Sequence, residues 1–396
     1  MIQKIRKSYE HTIYASYVGY ITQAIVNNLA PLLFLTFAST FDLSLAQITM
    51  ITTINFMTQL IVDLICVKVV DKVGYRPSVM FAHVCAVLGL VGMAVLPDLF
   101  GNAYIGLIAA VILYAIGGGI IEVLISPIVE ACPTENKSAA MSLLHSFYCW
   151  GTVAVVLLST VLFSALGMES WRLVGCLWAL IPAFNALLFL RVPIAPIVSE
   201  GEGMSISGLF RQKIFWILAL LMVCAGASEQ AMSQWASAFA ESGLQVSKTM
   251  GDLAGPCFFS ILMGTARVVH AKLARRVNLE SYIVLCALLC ISSYVLAVLP
   301  LHPLVNLLGC GLCGFSVGVF WPGTFSIATK ACPLGGTAMF ALLALAGDLG
   351  CSLGPTVVGF VSAAFDDVLK MGLVAAIGFP ALILLGIRLL RSRKTT

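Results

Sequence analysis

Twelve long, predominantly apolar stretches recur along the 396 residues, at about 11–37, 47–70, 78–97, 103–128, 138–163, 171–191, 214–240, 247–273, 281–299, 303–328, 335–363 and 368–390. Each is long enough to cross a bilayer, because about 20 helical residues span roughly 30 Å of hydrocarbon and a helix satisfies its own backbone hydrogen bonds there. The composition agrees: 60% of the residues are hydrophobic and 10% charged, whereas a soluble domain carries about 25% charged residues on its surface. These numbers exclude a soluble enzyme, a nucleic-acid-binding protein and a disordered scaffold. They predict an all-α integral membrane protein whose partner is the lipid bilayer, with no nucleic acid. The first apolar run is too long for the core of a signal peptide and reads as a retained first span.

Most connections are short. The exception, residues 192–213, carries Pro193, Pro196, Glu200, Gly201, Glu202 and Gly203 and divides the spans six and six. The expected organisation is a cytoplasmic N-terminus (1–10), a first six-helix bundle (11–191), a cytoplasmic linker (192–213), a second bundle (214–390) and a cytoplasmic C-terminus (391–396). With the N-terminus inside, all basic residues except Arg172, Lys248, Lys370 and Arg267 fall on inner segments. The positive-inside rule therefore predicts cytoplasmic termini and a multi-pass protein of the cell membrane. The thirteen cysteines lie mostly within apolar runs, where they act as small hydrophobes. Cys310 and Cys313 form a C-x-x-C without a second pair or a nearby histidine, so no metal site and no cofactor beyond a coupling ion, H+, is expected.

The halves echo one another. Ala131-Cys132-Pro133 after span 4 recurs as Ala331-Cys332-Pro333 after span 10, and Ala140-Met141 as Ala338-Met339. Asp63, Lys68 and Asp71 correspond to Arg267, Lys272 and Arg275 at one constant offset. Two pseudo-symmetric six-helix bundles are the architecture of secondary transporters whose site lies near the midplane, so a small-molecule substrate is expected.

The loop Asp71-Lys72-Val73-Gly74-Tyr75-Arg76-Pro77 between spans 2 and 3 carries a D-x-x-G-x-R core and resembles the loop at this place in the major facilitator superfamily. Gly117-Gly118-Gly119-Ile120-Ile121-Glu122 in span 4 and Leu143-Leu144-His145-Ser146-Phe147-Tyr148-Cys149-Trp150-Gly151 in span 5 are similar to the fucose permease branch of proton-coupled sugar symporters, as is Asn27-Asn28-Leu29. The resemblance implies the major facilitator fold, proton-coupled transport of a sugar, a proton-coupling role for Glu122, and a cavity lined by this part of spans 1 and 5. Pro31 stands where the fucose transporter of that family has an acidic residue, and His145 where it has glutamine, and both departures count against L-fucose itself.

A charge at the bilayer centre costs at least about 2.5–3.5 kcal/mol, so an ionisable residue in a span is expected to face a cavity or a partner. Glu122 follows three glycines in an otherwise apolar helix and shares a face with Ser126; burial favours a carboxyl's uncharged form, which suits cyclic proton uptake and release. Glu229 heads a polar strip in span 7 with Gln230, Ser233, Gln234 and Trp235, a composition that suits hydroxyl recognition and stacking on a sugar ring, or equally helix packing. Asp348 in span 11 is a third proton-coupling candidate or half of an interhelical ion pair. Asp63, Asp71, Arg76, Arg267 and Arg275 are read as gate charges at the cytoplasmic ends. Substrate contacts are expected from Gln23, Asn27, Glu122, His145, Tyr148, Trp150, Glu229, Gln230, Gln234, Trp235 and Trp321; a lone histidine in an apolar helix also serves as a structural donor, and Trp321 beside Pro322 as packing. Trp171 and Trp216 are read as interfacial anchors.

The expected protein is thus a monomeric secondary transporter working by alternating access, a proton symporter of a sugar or other small polar solute. The alternatives are a proton-coupled antiporter exporting drugs or metabolites, which abundant Met and Phe would suit, and a non-transporting membrane sensor. No nucleophile, metal-binding or nucleotide-binding motif points to catalysis, so no catalytic residue is proposed and the chain is not read as an enzyme.

Overall fold

A computed structural model describes residues 8–133, 137–195, 206–273, 277–300, 302–332 and 336–392. Among the described residues, twelve helical segments are long and apolar enough to cross a membrane: Tyr9–Phe41, Leu45–Cys66, Tyr75–Leu99, Ala103–Val129, Leu143–Leu166, Met168–Phe189, Lys213–Gly243, Lys248–His270, Leu279–Val298, Pro303–Ala328, Ala341–Ala364 and Leu369–Ser392, hereafter spans 1 to 12. Each predicted stretch has its helix. Polar residues at the starts satisfy the first free backbone N–H groups. Ser44 and Gln47 form a reciprocal capping box at span 2, and Asn102, Ser247 and Asn278 cap spans 4, 8 and 9. His302 does the same for span 10 ahead of Pro303, whose missing N–H is no loss at that position.

Several spans are interrupted. In span 1 the α-helix Tyr9–Asn28 gives way to a 3₁₀ turn, Ala30–Leu33, holding Pro31, and then to Phe34–Phe41. Span 7 breaks around Gln234 and Trp235, after Lys213–Ser233, and span 10 between Val317 and Phe320. Wider π turns, Phe239–Gly243 and Leu253–Cys257, lie in spans 7 and 8. These breaks were not anticipated: hydropathy reports how apolar a stretch is, not whether its hydrogen-bond ladder is continuous.

The chain divides into two compact units, residues 1–47 with 54–199 and residues 48–53 with 200–396. The short stretch at the head of span 2 thus groups with the second unit, a feature absent from the simple six-plus-six division. Of the expected linker, residues 196–205 lie outside the described residues; its described end includes a short helix, Ile206–Arg211. In the first unit the core gathers around Ile121, Ile125 and Ile128 of span 4, with Ala15 and Tyr17 of span 1, Val79 and Ala82 of span 3, and Phe189 at the end of span 6. In the second, spans 7 and 11 pack backbone to backbone. A methyl added to Gly350 or Gly354 would stand 1.9 Å or 2.4 Å from the Val223 or Ala227 carbonyl oxygen, so this small-xxx-small pair sets the helix separation. Cys132 and Cys332 of the sequence repeat both follow the last residue of their helix, but their ends differ: the Cys132 N–H bonds three residues back, to Val129, and the Cys332 N–H four back, to Ala328.

Trp171 corrects one expectation. Its indole is buried, with Phe37 and Phe41 edge-on at 5.3 and 6.1 Å, so it packs span 6 against span 1 instead of anchoring at an interface. Trp216 is exposed, and its Nε1 donates to the Phe210 carbonyl at 2.9 Å. Cys310 and Cys313 are both buried and free, and Cys313 Sγ lies 3.9 Å from Cys290 Sγ of span 9. Among the described residues no group of three or more His, Cys, Asp or Glu is arranged to hold a metal ion.

Candidate functional site

The three glycines before Glu122 explain how a carboxylate comes to sit among three other helices. A Cβ at Gly117 would lie 2.5 Å from the Ala82 carbonyl oxygen of span 3, one at Gly118 2.8 Å from Gln23 Oε1 of span 1, and one at Gly119 3.0 Å from Gln59 Cα of span 2. Successive residues on a helix point about 100° apart, so three bare positions in a row let three helices close on span 4. One turn beyond, Glu122 enters this crowded region.

There it joins a continuous chain of side-chain amides. Gln23 Nε2 donates to Glu122 Oε2 at 2.7 Å and to Gln59 Oε1 at 2.9 Å. Gln59 Nε2 donates onward to Asn27 Oδ1 at 2.8 Å and to Asn55 Oδ1 at 3.1 Å, and Asn55 Nδ2 donates to Asn27 Oδ1 at 3.2 Å. Gln23, Asn27, Asn55 and Gln59 are all buried. Asn28, buried next to Asn27, donates to Thr152 Oγ1 of span 5 at 3.2 Å. This group lies immediately before the break in span 1, the kind of interrupted helix around which transporters build polar sites.

A second strand of contacts runs one turn along. Tyr20 and Ser126 hydroxyls are 3.0 Å apart, and the His145 ring meets Tyr20 edge-on at 5.3 Å. Gln23 and Asn27 lie on one face of span 1, and Glu122 and Ser126 on one face of span 4. In span 5, Cys149 and Thr152 are buried and His145, on the same face, is exposed. Tyr148 is half-buried, and its carbonyl accepts from Thr152 Oγ1 at 3.1 Å. Trp150 is not brought to this cluster. It is 53% exposed on the apolar side of the helix, with Leu143, Leu157, Leu158 and Val161. The resemblance of this segment and the aromatic ring suggested it, but 100° per residue carries it away from the polar face.

Sequence reasoning missed Asn55 and Gln59. Thr49, Thr52, Asn55, Gln59 and Asp63 recur every three or four residues along span 2 and are all buried, so the signal was a polar stripe of which a search for charges picks out Asp63 alone. It also missed a second buried node. His83 Nδ1 lies 2.7 Å from the Val79 carbonyl oxygen, and Asn185 Nδ2 lies 2.8 Å from His83 Nε2 and donates to the Ala15 carbonyl at 3.0 Å. With Nδ1–H donating to Val79, Nε2 is the acceptor, and a neutral imidazole ties spans 3, 6 and 1 together.

In the second unit the polar side chains of span 7 bond to one another. Gln234 Nε2 and Ser233 Oγ donate to Gln230 Oε1 at 3.0 and 3.1 Å, and Gln230 Nε2 reaches Glu229 Oε1 at 3.3 Å. Trp235 departs from its predicted stacking role: its indole is buried and Nε1 donates to the Pro355 carbonyl at 3.0 Å, fastening the break in span 7 to span 11. Trp321 lies with its six-membered ring over Gly347, where a methyl would stand 2.2 Å from the ring, beside Asp348 and edge-on to Phe325 at 6.3 Å. Asp348 is 9% exposed, with Ser352 buried one turn on.

Of the expected gate charges, Arg76 caps the end of span 6, donating to the Phe189 carbonyl and to that of Val192 at 2.7 Å. Arg267 is near enough for its charge to act on Glu229, and its Nη2 lies 3.9 Å from Met263 Sδ. Asp63 is buried in span 2. Arg275 and the Asp71 side chain lie outside the described residues.

Residues 16–355 match the Major Facilitator Superfamily. The chain belongs to that superfamily of membrane transporters. No curated protein matches it by sequence at a significant level. Solved structures share its fold at low identity. The E. coli fucose:proton symporter aligns with a TM-score of 0.67 at 17% identity, covering 97% of this chain and 99% of its own. A D-xylose–proton symporter gives 0.74 at 15% (94% and 97%), and the nucleoside transporter NupG 0.76 at 14% (96% and 98%). At these identities the likeness carries fold, and the substrate has to be argued from the site.

Proposed function

We propose that this major facilitator protein is a secondary active symporter, moving a sugar or another small polyhydroxy solute together with a proton by alternating access. The observation that carries the reading is the direct bond between a titratable carboxyl, Glu122, and a buried run of amides, Gln23, Gln59, Asn27 and Asn55, beside the break in span 1. Amides offer donors and acceptors in pairs, the chemistry that vicinal hydroxyls require, and a carboxyl hydrogen-bonded to that run feels whether it is engaged. In the second unit Gln230 and Gln234 repeat the amide chemistry beside the break in span 7, with Glu229 and Asp348 as further acidic groups. The reading places the protein as a monomer in the cell membrane with both termini in the cytoplasm and H+ as coupling ion. Fold relatives whose names state proton symport of fucose or xylose are consistent with it.

The experiment is uptake by the purified protein in proteoliposomes, with L-fucose, D-xylose, other labelled sugars and polyols, and uridine, each with and without an inward proton gradient. Accumulation of a sugar or polyol only with the gradient supports the proposal. Accumulation of uridine alone moves the substrate class to nucleosides. Movement of solute against the direction of proton flow overturns symport in favour of the antiport mode.

A further inference from the structure

The amide chain has a polarity. Gln23 Nε2 donates both back to Glu122 and on to Gln59 Oε1, so Gln59 turns its oxygen to Gln23 and spends Nε2 on Asn27 and Asn55. This is the arrangement that a carboxylate dictates, because an ionised carboxyl accepts hydrogen bonds and offers none. One atom fits poorly. Gln23 Oε1 is buried and accepts no hydrogen bond among the described residues, and a buried carbonyl left without a donor is a cost the fold ordinarily avoids.

We infer that this chain is a relay in which protonation of Glu122 reverses the amides of Gln23 and Gln59 and so inverts the donor–acceptor pattern of Asn27 and Asn55. The inference rests on Glu122 being the proton-carrying group. When Glu122 Oε2 takes a proton from water, it becomes an O–H donor facing the Gln23 NH2. Rotation of the Gln23 amide by half a turn brings its free Oε1 to that hydroxyl, while Nε2 takes the place that Oε1 leaves. Gln59 then faces a carbonyl where it had a donor, and the same half-turn lets its Nε2 donate to Gln23. Its Oε1 now points at Asn27 and Asn55, whose Nδ2 groups turn to meet it. No bond other than the carboxyl O–H is made, and each amide moves by rotation about its terminal bond. Asn27, at the last turn before the break in span 1, ends with its carbonyl redirected, so the proton's presence is written into the hydrogen-bonding pattern shown to a polar solute. The titratable side chains on the spans packed around Glu122 include Tyr17 and Tyr20 of span 1, Asp63 and Cys66 of span 2, His83 and Cys85 of span 3, and His145, Tyr148 and Cys149 of span 5; none of them bonds to the Gln23 amide.

The test is infrared difference spectroscopy of the full chain in lipid nanodiscs across a pH step, without solute, using protein whose glutamine or asparagine side-chain carbonyls carry carbon-13. The expected result is a protonated-carboxyl band that is missing in Glu122→Gln, rising in step with isotope-sensitive changes in both glutamine and asparagine amide bands. In Gln23→Met the carboxyl band persists while the asparagine change is lost. In Gln59→Met the glutamine change of Gln23 remains and the asparagine change is again lost, so either variant alone decides the matter if the other does not fold. A Glu122 carboxyl band with silent amides overturns the relay and leaves the proton reading intact. No carboxyl band that depends on Glu122 overturns both.

Discussion

Two neighbouring substitutions, Gly117→Ala and Gly118→Ala, separate the packing argument from any general effect of adding a methyl to span 4. Both gain about 1 kcal/mol of helix propensity. Their surroundings differ. The new Cβ at position 118 meets side-chain atoms alone among its two nearest contacts, Gln23 Oε1 at 2.8 Å and Val26 Cγ1 at 2.9 Å, which shift by a few tenths of an ångström more readily than backbone does. At position 117 it meets backbone, the Ala82 carbonyl oxygen at 2.5 Å and the Ala86 nitrogen at 2.7 Å, so span 3 itself has to retreat. Overpacking costs about 1–3 kcal/mol. A yielding contact belongs at the low end, leaving Gly118→Ala near zero after the propensity gain; a rigid one belongs at or above the high end, leaving Gly117→Ala destabilised by about 2 kcal/mol or more. The assay is thermal unfolding in detergent with a thiol-reactive fluorogenic dye, which suits a chain whose thirteen cysteines are free and, apart from Cys176, buried. Gly118→Ala should melt close to the parent and Gly117→Ala several degrees lower. Equal melting points, or the reverse order, would refute the claim that the glycines set the distances between spans. Gly118→Ala should also weaken proton-driven accumulation in spite of its stability, since its methyl presses on the Gln23 amide.

Other expectations follow from single contacts. Asn185→Leu strips His83 Nε2 and the Ala15 carbonyl of their shared partner in a buried setting and should cost about 1–3 kcal/mol in the same assay; an unchanged melting point would remove this node from the account. Trp235→Phe should lose about 1 kcal/mol with its bond to Pro355 while the order of preference among solutes stays the same, and a changed preference would mean that the indole touches solute. Trp150→Leu, on an exposed apolar face, should leave transport rate and melting point unaltered, and a tenfold loss of uptake would contradict that placement.

The twelve spans were legible because crossing hydrocarbon is a demand on average composition over about 20 residues, and the sequence meets it twelve times. Glu122 was legible for the same reason in reverse, as a charge where charge is expensive. Asn55 and Gln59 were not, because an uncharged amide in an apolar run carries a weaker penalty and looks like many harmless polar residues; only their spacing with Thr49, Thr52 and Asp63 betrays a buried stripe. Tryptophans misled for a related reason. The same side chain serves as ligand platform, lipid anchor or packing wedge, and Trp150, Trp171, Trp235 and Trp321 are told apart by direction and neighbours, which composition does not record. Arg76, expected among gate charges, spends its guanidinium on the carbonyl end of span 6, a use of a positive group at a helix terminus that a charge inventory does not distinguish from an ion pair.

The central claim is that Glu122 carries the coupled proton. It is tested most directly by comparing the parent with Glu122→Gln in proteoliposomes, using whichever labelled solute the panel identifies, in two modes: counterflow without any gradient, and net accumulation driven by an inward proton gradient. Glutamine keeps the shape of the side chain and an oxygen to accept from Gln23 but cannot cycle a proton, so the account predicts that counterflow survives and accumulation is lost. Accumulation at the parental level in Glu122→Gln would contradict it and assign the proton to another group.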